Sequence, residues 1–313
     1  MDIQKELYQT DQYKRINFLN NLKNCLEIFN RNSNELLKLI EFGGNPEKAR
    51  HLFYEKNYNL YQDFIFELSR HIHNYVASSY TLLKVTHNVM KYYKKDGEEK
   101  YFAEFKIKIS ELPNQPDYEI IYYLRQYYQH LNIPYLGSHY SVDNIKDKET
   151  ISFNLNRNEI LGYNKLSSLL RTYLEGLTQD EIPIREMIDK YNKLIYNFFD
   201  WVYDKLEIVL KNDIDFVNKK ELEIKKYFTP SFIFARIKAI QGGSLMAPED
   251  IFTTMVDENA RLDIIRNNPK LEDKLSKLIE LLEKDIPVSD KLKREIMSLA
   301  TGEVLSKPLE IDL

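Results

Sequence analysis

A single cysteine, Cys25, excludes an intramolecular disulfide in this 313-residue chain. Without a second thiol or a histidine cluster it also offers no zinc site, and a small buried apolar role is expected for it. The net charge is only −4, so no global basic field draws the molecule onto nucleic acid. Any such binding needs a local patch. Nothing approaches the roughly 18 uninterrupted apolar residues of a membrane-crossing helix. The start, Met1-Asp2-Ile3-Gln4-Lys5-Glu6, lacks the basic head and apolar run of a signal peptide. A cytoplasmic protein with no membrane partner is the expectation. There is no phosphate-cradling glycine loop, no HExxH and no nucleophile elbow, so ATP, zinc and serine-hydrolase chemistries have no support. No cofactor and no metal are expected, and no repeat of twenty to fifty residues is visible.

What is present is helical periodicity. Hydrophobic residues make up 43% and charged residues 29% of the chain, as in an ordinary folded domain rather than a disordered one. Apolar residues recur as Ile16, Leu19, Leu22, Leu26, Phe29, Leu36 and Leu39 until Gly43-Gly44-Asn45-Pro46 stops them. A second helix is expected from past Pro46 to about Tyr93, with Phe64, Leu68, Ile72, Tyr75, Leu82 and Met90 as its stripe, broken by Asp96-Gly97. A short helix over 98–112 ends at Pro113. Pro116-Asp117-Tyr118-Glu119 opens the next, which Asn132-Ile133-Pro134 closes because proline cannot continue the ladder. Ile151 to Leu155 alternates with period two and predicts a strand paired with 141–145 across Lys146-Asp147-Lys148.

Helices resume over about 159–177. The longest stripe follows, from Ile184 through Ile188, Tyr191, Ile195, Phe198 and Trp201 to Leu206, on a helix opened by Ile182-Pro183. After Phe228-Thr229-Pro230 the helices become shorter and more charged, near 249–267 and 271–283. The expected organisation is mainly α: a helical bundle over 1–228, with its core at about 55–210 and a small β-hairpin insertion, then a C-terminal helical appendage over 229–313.

One spacing carries a direct chemical reading. Arg125 and His130 are separated by four residues in Leu124-Arg125-Gln126-Tyr127-Tyr128-Gln129-His130, near the end of a helix. Arginine holds a fixed charge and a donor fork suited to phosphate, and histidine moves protons near neutral pH. Together they are the minimum for cutting an RNA phosphodiester without metal. The arginine stabilises charge gathering on the phosphoryl oxygens, and the histidine takes or gives the proton. Five positions along a helix displace them by about 140° around its axis. Convergence on one phosphate therefore needs a deformed last turn or a second copy of the pair from a two-fold partner.

The alternative stays open, because such a spacing arises by chance too. A histidine in a last turn is favoured by the helix dipole, and Arg125 can simply pair with Glu119 or another surface carboxylate. Asn74, polar in the middle of a helix, is a supporting candidate because burial without a partner would be costly. Tyr122, Tyr123, Tyr127 and Tyr128 suit base stacking, although core and dimer contacts are the commoner use of such rings. Lys91, Lys94, Lys95 and Lys100, then Lys219, Lys220, Lys225 and Lys226, form the densest basic clusters. His71 and His73 face different sides of one helix and do not share a metal.

Three segments together resemble a group of bacterial HEPN-type proteins. They are His73-Asn74-Tyr75-Val76-Ala77-Ser78-Ser79 with Leu82-Leu83; Leu124-Arg125-Gln126-Tyr127-Tyr128-Gln129-His130-Leu131-Asn132-Ile133-Pro134; and Ile151-Ser152-Phe153-Asn154-Leu155-Asn156-Arg157-Asn158-Glu159-Ile160-Leu161. The likeness covers roughly residues 55–210, and the arginine motif with its apolar-proline exit is its most specific part. It implies a helical bundle that dimerises through the motif-bearing helices. It further implies a metal-independent ribonuclease of toxin or phage-defence type, with an antitoxin or regulatory protein as a possible partner. Arg125 and His130 map onto the family's catalytic pair; from their own chemistry, Gln126 and Asn74 are supporting candidates and Tyr127 and Tyr128 are candidates for RNA contact. Active members usually carry Asn, Asp or His after the arginine, and this chain has Gln126, whose longer arm orients the arginine differently. Some members are noncatalytic scaffold or partner-binding modules, and that is the alternative function.

Overall fold

A computed structural model of the chain describes residues 2–95, 99–130, 136–143 and 148–302. The protein is mainly helical with one small antiparallel sheet. The chain separates into two compact units, residues 15–211 and residues 1–14 with 212–313. The organisation differs from a division at 228/229, because that point falls inside a continuous helix, α9 (Ile184–Gln241). Pro230 removes one hydrogen bond there and predicts a break. Packing holds the helix through it, since Thr229, Ile233 and Ile237 on the same stretch are buried.

After the short α1 (Asp2–Gln9), the first long stripe becomes α2 (Asp11–Gly44), with Leu19, Leu22, Phe29 and Leu36 buried. Asn45 caps α3 (Pro46–Ala49) by accepting from the Glu47 and Lys48 amides. Two 3-10 turns, Arg50–Phe53 and Glu55–Asn57, fill the stretch before α4 (Tyr58–Lys95). All six stripe residues expected for α4, Phe64 through Met90, are buried. Then follow α5 (Glu99–Glu111) and α6 (Pro116–His130). The expected breaks at Asp96-Gly97 and at Asn132-Ile133-Pro134 lie outside the described residues.

The hairpin forms from β1 (Leu136–Asp143) and β2 (Lys148–Asn156), with Ser141 opposite Thr150 and Leu136 opposite Leu155. Most of the expected turn lies outside the described residues, and its last residue, Lys148, already belongs to β2. The helices expected over about 159–177 are α7 (Arg157–Leu161) and α8 (Ser168–Glu175). Asn156 and Ser167 cap them, each accepting a backbone N–H. Ile182-Pro183 directly precedes the long helix that starts at Ile184, as expected, and also forms a third strand, β3 (Glu181–Pro183), paired antiparallel with residues 154–156 of β2.

The core of residues 15–211 joins α2, α4 and α9. Phe29 packs on Tyr75 at 5.3 Å between ring centres, and Tyr75 meets Tyr191 edge-on at 6.1 Å. Each fully buried apolar side chain here contributes roughly 1.5–3 kcal/mol. A polar thread runs through the same core. The Tyr75 hydroxyl donates to Asn192 Oδ1 at 2.9 Å, and Asn192 Nδ2 donates to Ser33 Oγ at 2.8 Å. The second unit has its own core, in which Ile233 and Ile237 of α9 join Ile251, Phe252 and residues of α11 (Leu271–Glu283) and α12 (Asp290–Thr301). A 3-10 turn, Pro248–Phe252, and α10 (Glu258–Asn267) replace the single helix expected over 249–267, and α12 is an element the periodicity had not predicted. No described helix is long and apolar enough to cross a membrane.

Candidate functional site

Helix α6 presents the arginine because of its own periodicity. Ile120, Ile121, Tyr123 and Leu124 are buried, whereas Tyr122 and Gln129 are exposed. Arg125 falls at the border between the two faces and is half-buried. Its guanidinium carbon lies 3.4 Å from the centre of the Tyr80 ring of α4. Such stacking is worth about 0.5–2 kcal/mol and fixes the plane of the group. Arg125 Nε is buried and has no hydrogen-bond partner, and neither Glu119 nor any other carboxylate among the described residues pairs with this arginine. The ion pair that would have made Arg125 a surface ornament is not formed.

The depression beside Arg125 is lined by Ser79, Tyr80, Tyr118, Tyr122 and Tyr191, among others, and holds only about 20 Å³. That is room for one water molecule and not for a nucleotide. Any polyanion would lie across this face, not inside it. The Tyr191 hydroxyl at its floor is hydrogen-bonded to Ser79 Oγ, and burial pushes its pKa well up. Tyr118 is also raised, chiefly by burial, with the Arg125 charge opposing. These tyrosines are therefore neutral donors at physiological pH.

The other expected site residues are placed as follows. His130 is the last residue of α6, and its side chain lies outside the described residues. Gln126 and Asn74 are half-buried, and their side chains make no hydrogen bond among the described residues. Tyr127 donates to Glu159 Oε1 at 2.6 Å, and that bond together with burial pushes its pKa up to about 12. Tyr128 donates to the Ser69 carbonyl at 3.3 Å and meets the His73 ring edge-on at 5.3 Å. Both hydroxyls are thus engaged within the fold, tying α6 to α7 and α4.

His73 is exposed, while His71 is mostly covered. His71 Nε2 sits 3.0 Å from Arg70 Nη2, which can only donate, so the ring proton belongs on Nδ1. The two histidines share no ligand geometry, and no group of three metal-ligating side chains occurs among the described residues. His87 packs against Phe105 at 6.1 Å. Lys91 and Lys100 are exposed, and the side chains of Lys94 and Lys95 lie outside the described residues. Lys219, Lys225 and Lys226 are exposed on the α9 segment of the second unit, where Lys220 pairs with Glu223.

Sequence reasoning missed Tyr80, Ser79, Tyr118 and Tyr191. A faint signal existed for Tyr80, which follows the quoted helix segment by one residue and lies seven positions, about two turns, after His73. Compared with known proteins, the chain matches no family model, no curated protein and no solved structure.

Proposed function

We propose that this chain is a metal-independent endoribonuclease of HEPN type, acting as a homodimer and serving as a toxin or phage-defence effector. Arg125 stabilises the negative charge that builds on the phosphoryl oxygens, and His130 transfers protons. The RNA 2′-hydroxyl attacks the adjacent phosphorus. The new O2′–P bond forms as the P–O5′ bond breaks, leaving a cyclic phosphate and a 5′-hydroxyl that takes up a proton. Arginine and imidazole supply charge and proton transfer at neutral pH.

One observation carries the reading: Arg125 is held by the Tyr80 ring and lacks any carboxylate among the described residues. An arginine fixed in orientation yet unneutralised is prepared to meet an anion. The same helix ends in His130, so both groups of the motif belong to one rigid element. In this reading the substrate lies across the α4–α6 face, because the depression beside Arg125 is too small for a nucleotide.

A second reading is a noncatalytic helical scaffold that recruits a partner. The engagement of the Tyr127 and Tyr128 hydroxyls within the fold favours it, since those rings then serve packing instead of base stacking. Purified protein, EDTA and end-labelled RNA separate the two. The nuclease reading expects cleavage that vanishes in both Arg125→Ala and His130→Ala. Cleavage that persists in both variants, or none from the parent at any concentration that dimerises it, rejects the enzyme. Growth arrest on expression, relieved by His130→Ala, tests the toxin assignment.

A further inference from the structure

A cavity of about 480 Å³ lies beside α9 in the second unit, and all its lining residues belong to 1–14 or 212–313. That volume is in the range of small-ligand sites. Its longest wall is helical. Ile224, Phe228, Phe232 and Arg236 recur at four-residue steps and so form one ridge along α9. Phe232 is 57% exposed, which leaves apolar area in water for an occupant to cover.

The polar groups of this cavity lack partners. Thr229, beside the ridge, is 6% exposed, yet its hydroxyl makes no hydrogen bond among the described residues. Threonines of α4 avoid that state, since Thr81 and Thr86 donate to the carbonyls of Ala77 and Leu82, four residues back. A buried hydroxyl left unpaired is costly, and the cavity is the space from which a partner can come. Lys225, one turn before Thr229, is exposed and has no carboxylate partner among the described residues. No described residue lining the cavity is acidic.

Arg236 engages one nitrogen of its guanidinium. Nη1 donates to the carbonyls of Ile251 and Thr253, each at 2.8 Å, whereas Nε and Nη2 bond nothing among the described residues and are not sealed inside the fold. Those two nitrogens form the side-on fork that matches the two oxygens of a carboxylate. The Nη1 bonds also fix the turn that carries Thr254, which borders the cavity at φ 72°. A left-handed β-branched residue is strained, as residues at ligand clamps often are.

The spacing of the donors defines the occupant. Lys225 and Thr229 stand one turn apart, and Arg236 follows Thr229 by seven residues and Lys225 by eleven, roughly 10–16 Å along the axis. Phe232 lies between the two donor positions. We propose that this cavity binds a small linear dicarboxylate with an apolar chain, one head on the Arg236 fork and the other on Lys225 and Thr229. The ridge covers the chain, and the separated donors select a molecule with an anion at each end. The inference is independent of the ribonuclease reading.

The test titrates the full chain with sebacate, a saturated dicarboxylate of ten carbons, by isothermal calorimetry at neutral pH. Saturable binding is expected, with a change in the Thr254 amide resonance. Decanoate, the same chain with one head, should bind at least tenfold more weakly, the equivalent of one charge-assisted hydrogen bond. Lys225→Glu, at an exposed position, should weaken sebacate at least tenfold and leave decanoate within threefold. Thr229→Val, which keeps the side-chain shape, should weaken sebacate about fivefold. Three results overturn the proposal: no saturation at millimolar sebacate, decanoate binding as tightly as sebacate, or sebacate affinity unchanged in both variants.

Discussion

The Arg125 guanidinium stacks on the Tyr80 ring at 3.4 Å, and that contact, not an ion pair, holds the arginine in place. Removing the ring should loosen the guanidinium while leaving the fold intact. If RNA cleavage is the activity, Tyr80→Leu should lower its rate about tenfold, the equivalent of about 1.4 kcal/mol of lost stacking, while Tyr80→Phe stays near the parent. Single-turnover cleavage rates with matched circular dichroism spectra measure this.

Lysine should not replace Arg125. Its ammonium is a point charge without a planar fork and cannot stack in the same way. Arg125→Lys should therefore lose roughly a hundred- to a thousandfold in cleavage rate, as when a positioned charge-stabilising donor is removed elsewhere. A rate within threefold of the parent would show that charge alone suffices.

Gly43 is needed for space. A methyl there would sit 2.4 Å from Phe64 Cζ and 2.8 Å from Phe153, both buried rings on other elements. Gly43→Ala should destabilise the protein by about 1–3 kcal/mol through overpacking, despite alanine's better helix propensity. Urea denaturation provides the measurement.

Asn192 bridges Tyr75 and Ser33 inside the core. Asn192→Ala should leave the Tyr75 hydroxyl without its acceptor, costing about 1–3 kcal/mol for a buried group left unpaired, whereas Ser33 keeps its bond to the Tyr196 hydroxyl. The pairing of Asn192→Leu with Tyr75→Phe should recover most of that loss, and thermal melts of the variants compare them.

Alkaline pH should unfold the protein through its tyrosines. Burial raises Tyr203 to about 12 and Tyr127 reaches about 12 through its bond to Glu159, while Tyr123, Tyr128 and Tyr191 are pushed further up by burial. Their unfolded value is near 10. Below pH 10 both states hold the phenolic proton and the stability is fully present. As pH rises through 10 to 12 the unfolded chain releases these protons first, so stability falls. Absorbance at 295 nm should show a set of tyrosines that ionise only together with loss of the near-ultraviolet circular dichroism signal.

Much of the helical framework was legible because burial imposes a period. The predicted stripe residues from Leu19 to Leu36, Phe64 to Met90 and Ile184 to Leu206 are buried except Leu26 and Trp201, which are half-buried. The hairpin was legible from alternation at Ile151, Phe153 and Leu155. What stayed hidden has no local signature. β3 is three residues long and exists only because β2 lies beside it. Pro230 looks like a terminus, yet the helix passes through it because buried neighbours outweigh one lost hydrogen bond.

The candidate site divides along the same line. Sequence by itself determined that an arginine and a histidine share one helix, that helices dominate and where their apolar faces run, since these depend on spacing along a single chain segment. Only the tertiary structure decided that Arg125 rests on Tyr80 instead of pairing with Glu119, that Tyr127 and Tyr128 brace the helix, and that a third strand forms beside β2. Each of those depends on which residue from a distant segment arrives within a few ångströms, and contact energies between such partners leave no periodic trace in the sequence.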